Sequence, residues 1–298
     1  MQELTRKRAC LSWVAGRLMP DGGYCAFRET EWRAGFSNIA DTAHALEIFR
    51  RLGESPPELL RTAAWIESRQ RSSPALARSP ALAWTLMART QAGLPFREEE
   101  RRLYLEEVGR LLCDGEGEES ERVDEDLAAL LRLPRAPDLP GSLASRLSDL
   151  VGALAVREER ERRPLTLPAL EDRLTILEKS GVISPEEILR MSQAEESFRH
   201  PVWGWTRTRG STAFDLFVVR SGVRLAARHR APVDAGAIEA LAWASQSRGG
   251  GFGPLPGALP GLDATLCAVE ILQRIRPTPL PAFPGRKGRA PEETSEKE

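Results

Sequence analysis

Two segments at opposite ends of the chain repeat one pattern, and that repetition constrains the fold more than any other feature. Near the start, Asp21-Gly22-Gly23-Tyr24 precedes a run from Asp41-Thr42-Ala43 to Leu52-Gly53. Near the end, Leu241–Gln246 leads into Gly249-Gly250-Gly251-Phe252, followed by Asp263-Ala264-Thr265 through Leu272. Each segment reads as a helix, a Gly-Gly-aromatic turn and a second, Thr-led apolar helix. Self-similarity with a period of roughly 40–50 residues marks a helical array. Between the two ends strand signals are nearly absent, and apolar residues fall at helical spacing with Pro, Gly and Ser between segments.

The pattern resolves into six helical hairpins, about twelve helices. The first pairs residues 4–18 with 38–52, the second 57–70 with 79–92, and the third 97–113 with 123–133. The fourth pairs 141–156 with 168–180, and the sixth pairs 234–247 with 262–275. The fifth runs from Ser184-Pro185-Glu186-Glu187 through Trp203-Gly204-Trp205 to a helix at 211–228. First helices are amphipathic, as where Leu59, Leu60, Ala63 and Ile66 alternate with Glu58, Arg61, Glu67 and Arg69. The second helices of the first and sixth hairpins are apolar nearly all round, the mark of a buried helix. Six buried helices inside six amphipathic ones predict an all-α fold, an (α/α)6 toroid over residues 1–276 whose oily inner helices face a central cavity. An open solenoid needs polar capping repeats. Here the end units are the best formed, so the first hairpin is expected to abut the sixth. Residues 277–298, rich in Pro and charge, read as a disordered tail.

Composition narrows the function classes. A net charge of -1, from 42 basic and 43 acidic residues, offers no basic face for nucleic acid. Cys10, Cys25, Cys113 and Cys267 are widely spaced without a C-x-x-C pair and read as reduced thiols of a cytoplasmic protein. No apolar run reaches the roughly 20 residues a membrane span needs.

The stretches Leu18-Met19-Pro20-Asp21-Gly22-Gly23-Tyr24 and Asp41-Thr42-Ala43-His44-Ala45-Leu46 now gain a family context. With Gln246-Ser247-Arg248-Gly249-Gly250-Gly251-Phe252 and Asp263-Ala264-Thr265-Leu266-Cys267-Ala268, they resemble the repeat of squalene and terpene cyclases and protein prenyltransferase β-subunits. The resemblance implies the (α/α)6 toroid and an isoprenoid or similar hydrophobic substrate in its cavity. In class II cyclases the acid two positions before the motif Thr donates a proton. That position is Ala40 in the first unit and Asp263 in the sixth, so Asp263, with Asp41 and His44, forms the candidate catalytic set. Asp41 and Asp263 also read as helix N-caps or first-turn acids. Candidate substrate-binding residues are Trp203 and Trp205, which flank a turn glycine, with Tyr24, Phe252 and Cys267.

Prenyltransferases hold zinc with Asp, Cys and His. The substitute set here is Asp263 and Cys267, four apart on one helix face, with His44 on the neighbouring helix. Lone His and Cys in apolar helices are more often core residues, so no metal or cofactor is called for. The acidic run Asp114–Glu121 invites a magnesium role but reads better as a solvated loop. Only 6% of residues are aromatic, which argues against a polycyclase, whose cations need aromatic faces. The alternative is a non-catalytic toroid that binds a lipid, a peptide or a protein partner. A six-hairpin glycosidase would need paired carboxylates and a sugar platform, and neither is assembled.

Overall fold

The computed structural model describes residues 2–27, 36–72, 78, 80–114, 120–133, 137–161 and 164–276. Twelve α-helices lie among them. They are α1 (Gln2–Ala15), α2 (Ile39–Arg51), α3 (Leu59–Ser72), α4 (Ala81–Gln91), α5 (Glu98–Asp114) and α6 (Ser120–Leu131). Then come α7 (Gly141–Glu161), α8 (Leu167–Ser180), α9 (Pro185–Ser192), α10 (Leu216–Arg228), α11 (Ala235–Ala244) and α12 (Leu262–Ile275). A 3-10 turn over Gln193–Phe198 leads into a short antiparallel pair, β1 (Arg199–His200) and β2 (Gly204–Trp205). The fold is all-α, and every expected helix coincides with an observed one. Residues 277–298, expected as a tail, lie outside the described residues, as does most of the acidic run after Asp114.

Local chemistry sets the helix starts. Asn38, Thr166, Ser184, Asp215 and Asp234 stand before α2, α8, α9, α10 and α11, and each side chain accepts a first-turn N–H. These side chains satisfy amide groups that the helix itself leaves unpaired. The α10 helix begins at Leu216 rather than near 211 because Asp215, in extended backbone, caps it by accepting from Val218 N–H at 2.8 Å.

The even-numbered helices are one another's neighbours in order. The α2 helix packs on α4, α4 on α6, α6 on α8, α8 on α10, α10 on α12, and α12 returns to α2. From α3 onward each odd-numbered helix packs against an even-numbered one. The buried faces follow this division. Along α2, Ala43, Ala45, Leu46, Ile48 and Phe49 are buried, and along α12 so are Leu262, Ala264, Cys267, Ala268, Val269 and Ile271.

The first and sixth hairpins share their turn bond for bond. Tyr24 N–H donates to Thr42 Oγ1 at 3.0 Å, and Phe252 N–H donates to Thr265 Oγ1 at 3.0 Å. Met19 N–H reaches Gly23 O at 2.8 Å, and Ser247 N–H reaches Gly251 O at 2.8 Å. The turn requires left-handed backbone at Gly22 (φ 100°) and Gly250 (φ 104°), which only glycine adopts without strain. The following glycine is needed for space. A Cβ on Gly23 would lie 2.6 Å from the Trp65 ring of α3, and one on Gly251 would lie 2.4 Å from the Trp13 ring of α1. One Gly-on-Trp contact therefore joins the first hairpin to the second and the sixth hairpin to the first. Among the described residues no helix is long and apolar enough to cross a membrane.

Candidate functional site

A cavity of about 730 Å³ lies among the even-numbered helices, and all six contribute to its wall. The α2 helix supplies His44, Glu47 and Arg51; α4 supplies Ala83, Trp84 and Met87; α6 supplies Asp124, Ala129 and, just past its end, Arg132. The α8 helix supplies Glu171, Asp172 and Arg173; α10 supplies Phe217, Arg220 and Arg224; α12 supplies Leu266 and Glu270. This lining corrects the expectation of an oily hollow. The even-numbered helices bury their apolar residues against each other and turn charged side chains to the cavity.

Those charges pair within helices and across hairpins. Arg224 grips Glu270 through two bonds of 2.7 Å, and Arg274 approaches the same carboxylate at 3.1 Å. Arg132 holds Glu171 at 2.7 Å and Asp172 at 2.5 Å, while Arg224 also reaches Glu171 at 3.4 Å. Glu47 pairs with Arg51 at 2.7 Å, and Asp124 with Arg173 at 3.0 Å. Burial alone would raise the Glu270 carboxyl, but the Arg224 bonds and the charges of Arg224, Arg51 and Arg220 overcome it and hold it below the carboxylate range. Glu171 is lowered in the same way, its burial outweighed by Arg132, Arg224, Arg220 and Arg228. Asp172 goes the other way. Burial pushes it up to about 6, with the Glu171 charge adding to that push and Arg132 only partly opposing it. Buried carboxylates in such a network persist because their guanidinium partners supply directional bonds that replace water.

Of the eight residues singled out from the sequence, His44 alone lines this cavity. Its imidazole meets the Trp84 ring edge-on with centroids 4.6 Å apart. Burial lowers it to about 4, against the nearby charge of Asp263 and with that of Arg220. The packing of α12 on α2 does bring Asp41, His44 and Cys267 into the electrostatic reach of Asp263. Their bonds are structural. Asp41 Oδ2 accepts from Ala26 N–H at 2.8 Å and from Asn38 Nδ2 at 2.6 Å, tying the turn to the start of α2. Asp263 sits exposed in the first turn of α12 and accepts from Ala264 N–H at 2.7 Å.

The aromatic candidates are placed as packing residues. Tyr24, Trp205 and Phe252 are all fully buried and occupy one position in three hairpins, each bridging to the residue six before it. Trp205 Nε1 donates to the buried Glu195 carboxylate. Trp203 is exposed and stacked on Phe214 at 4.4 Å, and it is not among the residues that line the cavity. A smaller cleft of about 330 Å³ lies between the β1–β2 pair and α11, with Trp205 and His200 in its wall. Cys267 is buried, and burial pushes its thiol up to about 11. Among the described residues no group of three or more His, Cys, Asp or Glu side chains is placed to hold a metal.

The residues that dominate the site, Arg132, Glu171, Arg220, Arg224 and Glu270, do not stand out in the sequence. Their one signal is spacing. Arg220, Arg224 and Arg228 recur every fourth residue on α10, a pattern that also describes a solvated face. No family model, no curated protein and no solved structure matches the chain.

Proposed function

We propose that the chain is an (α/α)6 toroid, prenyltransferase-like and terpene-cyclase-like in build, whose central cavity binds an isoprenoid or similarly apolar small molecule without converting it. The closed order of the even-numbered helices and the Gly-on-Trp contact repeated between the sixth hairpin and the first support the toroid. The observation that carries ligand binding is the cavity itself. It falls within the range of roughly 300–1,000 Å³ typical of small-molecule sites. Beside its charged stripe it presents apolar groups from four inner helices, among them Trp84 and Met87, Ala129, Phe217, and Leu266. The two acids at the positions of interest are occupied in backbone hydrogen bonds, and neither lines the cavity. That favours binding over proton-initiated chemistry.

The test is direct. Pure protein is mixed with farnesyl diphosphate, geranylgeranyl diphosphate and squalene, each with and without zinc or magnesium, and analysed by mass spectrometry. Retention of unaltered lipid is the expected result. Turnover that is lost in Asp263→Asn would overturn the non-catalytic reading and restore an enzyme. Absence of any retained lipid would remove the apolar ligand altogether.

A further inference from the structure

We infer that the cavity contains a carboxylate subsite, formed by the Arg220 guanidinium and the His44 imidazole, for the acidic head of an apolar monocarboxylic acid. This rests on the reading of the cavity as a ligand site and names the chemistry it selects. Two polar atoms in one cavity wall point to it. Arg220 Nε and His44 Nδ1 are both buried and both lack a hydrogen-bond partner. Buried polar atoms are almost always paired, so two orphans on side chains that line one cavity mark a place where an acceptor belongs. They come from α10 and α2, the two helices that flank α12, with Leu266 of α12 also in the wall.

The state of the neighbouring charges selects the anion. Arg224 is committed to Glu270, Arg132 to Glu171 and Asp172, Arg51 to Glu47, and Arg207 to Asp215. Arg220 makes no ion pair among the described residues, and the carboxylates within its electrostatic reach already hold other arginines. His44 is kept neutral by burial, so it can present Nδ1–H without adding charge. One uncommitted cation beside a neutral donor matches a single negative charge. A diphosphate would bring more charge than this and would have to strip arginines from their carboxylates. The planar guanidinium fork suits a carboxylate, and Trp84, Phe217 and Leu266 offer apolar surface for the body of the ligand.

The test uses three probes with one C15 skeleton, farnesoic acid, farnesol and farnesyl diphosphate, titrated calorimetrically into the full-length protein at pH 7.5. The acid is expected to bind at least about 10-fold more tightly than the alcohol, the scale of a charge-assisted hydrogen bond. Arg220→Gln should abolish that preference, while the exposed Arg190→Gln leaves it intact. If Arg220→Gln does not fold, Arg220→Lys keeps the charge without the fork and should still reduce the acid-to-alcohol ratio. Equal binding of acid and alcohol, an unchanged ratio in Arg220→Gln, or tightest binding of the diphosphate would each overturn the inference. Binding of the alcohol in those cases leaves the apolar-ligand reading standing. Failure of all three probes to bind defeats that reading and the subsite together.

Discussion

His44 and Arg220 line the same cavity, and the Arg220 charge bears on the protonation of His44. Burial holds His44 at about 4, and the Arg220 charge adds to that depression. The ordinary histidine value is 6.5. Between the two values the unfolded chain carries a proton on this residue and the folded chain does not. Stability from His44 is therefore complete above 6.5 and is lost as the pH falls toward 4. Asp172, raised to about 6, has the opposite sign. It binds its proton more readily when folded, so between its ordinary value and 6 it gains stability as the pH falls. The two effects overlap in the wild type, and His44→Gln separates them. Urea unfolding measured from pH 7 to pH 4 should show the wild type losing up to about 3 kcal/mol more than His44→Gln. Parallel pH profiles for the two proteins would mean that His44 is not held neutral. At this scale the sequence is only partly legible. His44 can be found because it follows the Thr-led motif, whereas the isolation of Arg220 depends on α8 and α12 having supplied partners to its neighbours but not to it.

The helices themselves are legible from the helical spacing of their apolar residues and, at five of them, from a capping residue at the start. The hairpin turns are legible at the two ends of the chain because two physical demands there admit only glycine: left-handed backbone at Gly22 and Gly250, and ring contact at Gly23 and Gly251. The charged inner stripe is hidden for a reason of equal generality. Its pairs join residues far apart in the chain, as with Arg132 and Glu171, Arg224 and Glu270, or Arg224 and Glu171. On any one helix such residues look like a solvated face. The Gly-on-Trp contact gives a prediction at this scale. Gly251→Ala should cost about 1–3 kcal/mol by overpacking, because its Cβ would lie 2.4 Å from the Trp13 ring. Gly53→Ala meets open space but keeps a φ of 71°, so it should cost only about 1 kcal/mol of backbone strain. Combining Gly251→Ala with Trp13→Leu should recover part of the first penalty in a double-mutant cycle read by chemical denaturation. Strict additivity would show that the two residues do not touch.

The first and sixth hairpins meet along a seam with no covalent link across it. Arg276 pairs with Glu3 at 3.3 Å, Gln246 Nε2 donates to Arg6 O at 3.2 Å, and Arg51 Nη1 donates to Gln273 Oε1 at 3.3 Å. The α12–α2 contact is thus built like the contacts between consecutive hairpins, and in the proposed toroid the position of the chain break around the ring is arbitrary. A circular permutant that joins Glu298 to Met1, with residues 277–298 as linker, and opens the chain between Asp138 and Leu139 should fold. The new ends fall in the segment between α6 and α7, where Asp138 is exposed and adjacent Pro residues interrupt the helical pattern. Because loop-closure entropy grows slowly with length, stability should stay within about 2–3 kcal/mol of the natural chain. Thermal melting followed by circular dichroism should show one transition. In an open stack the first and sixth hairpins would share no interface, and the permutant would have a break at its centre. It would then melt in two steps or fail to fold, and a cavity walled by all six inner helices could not be sustained.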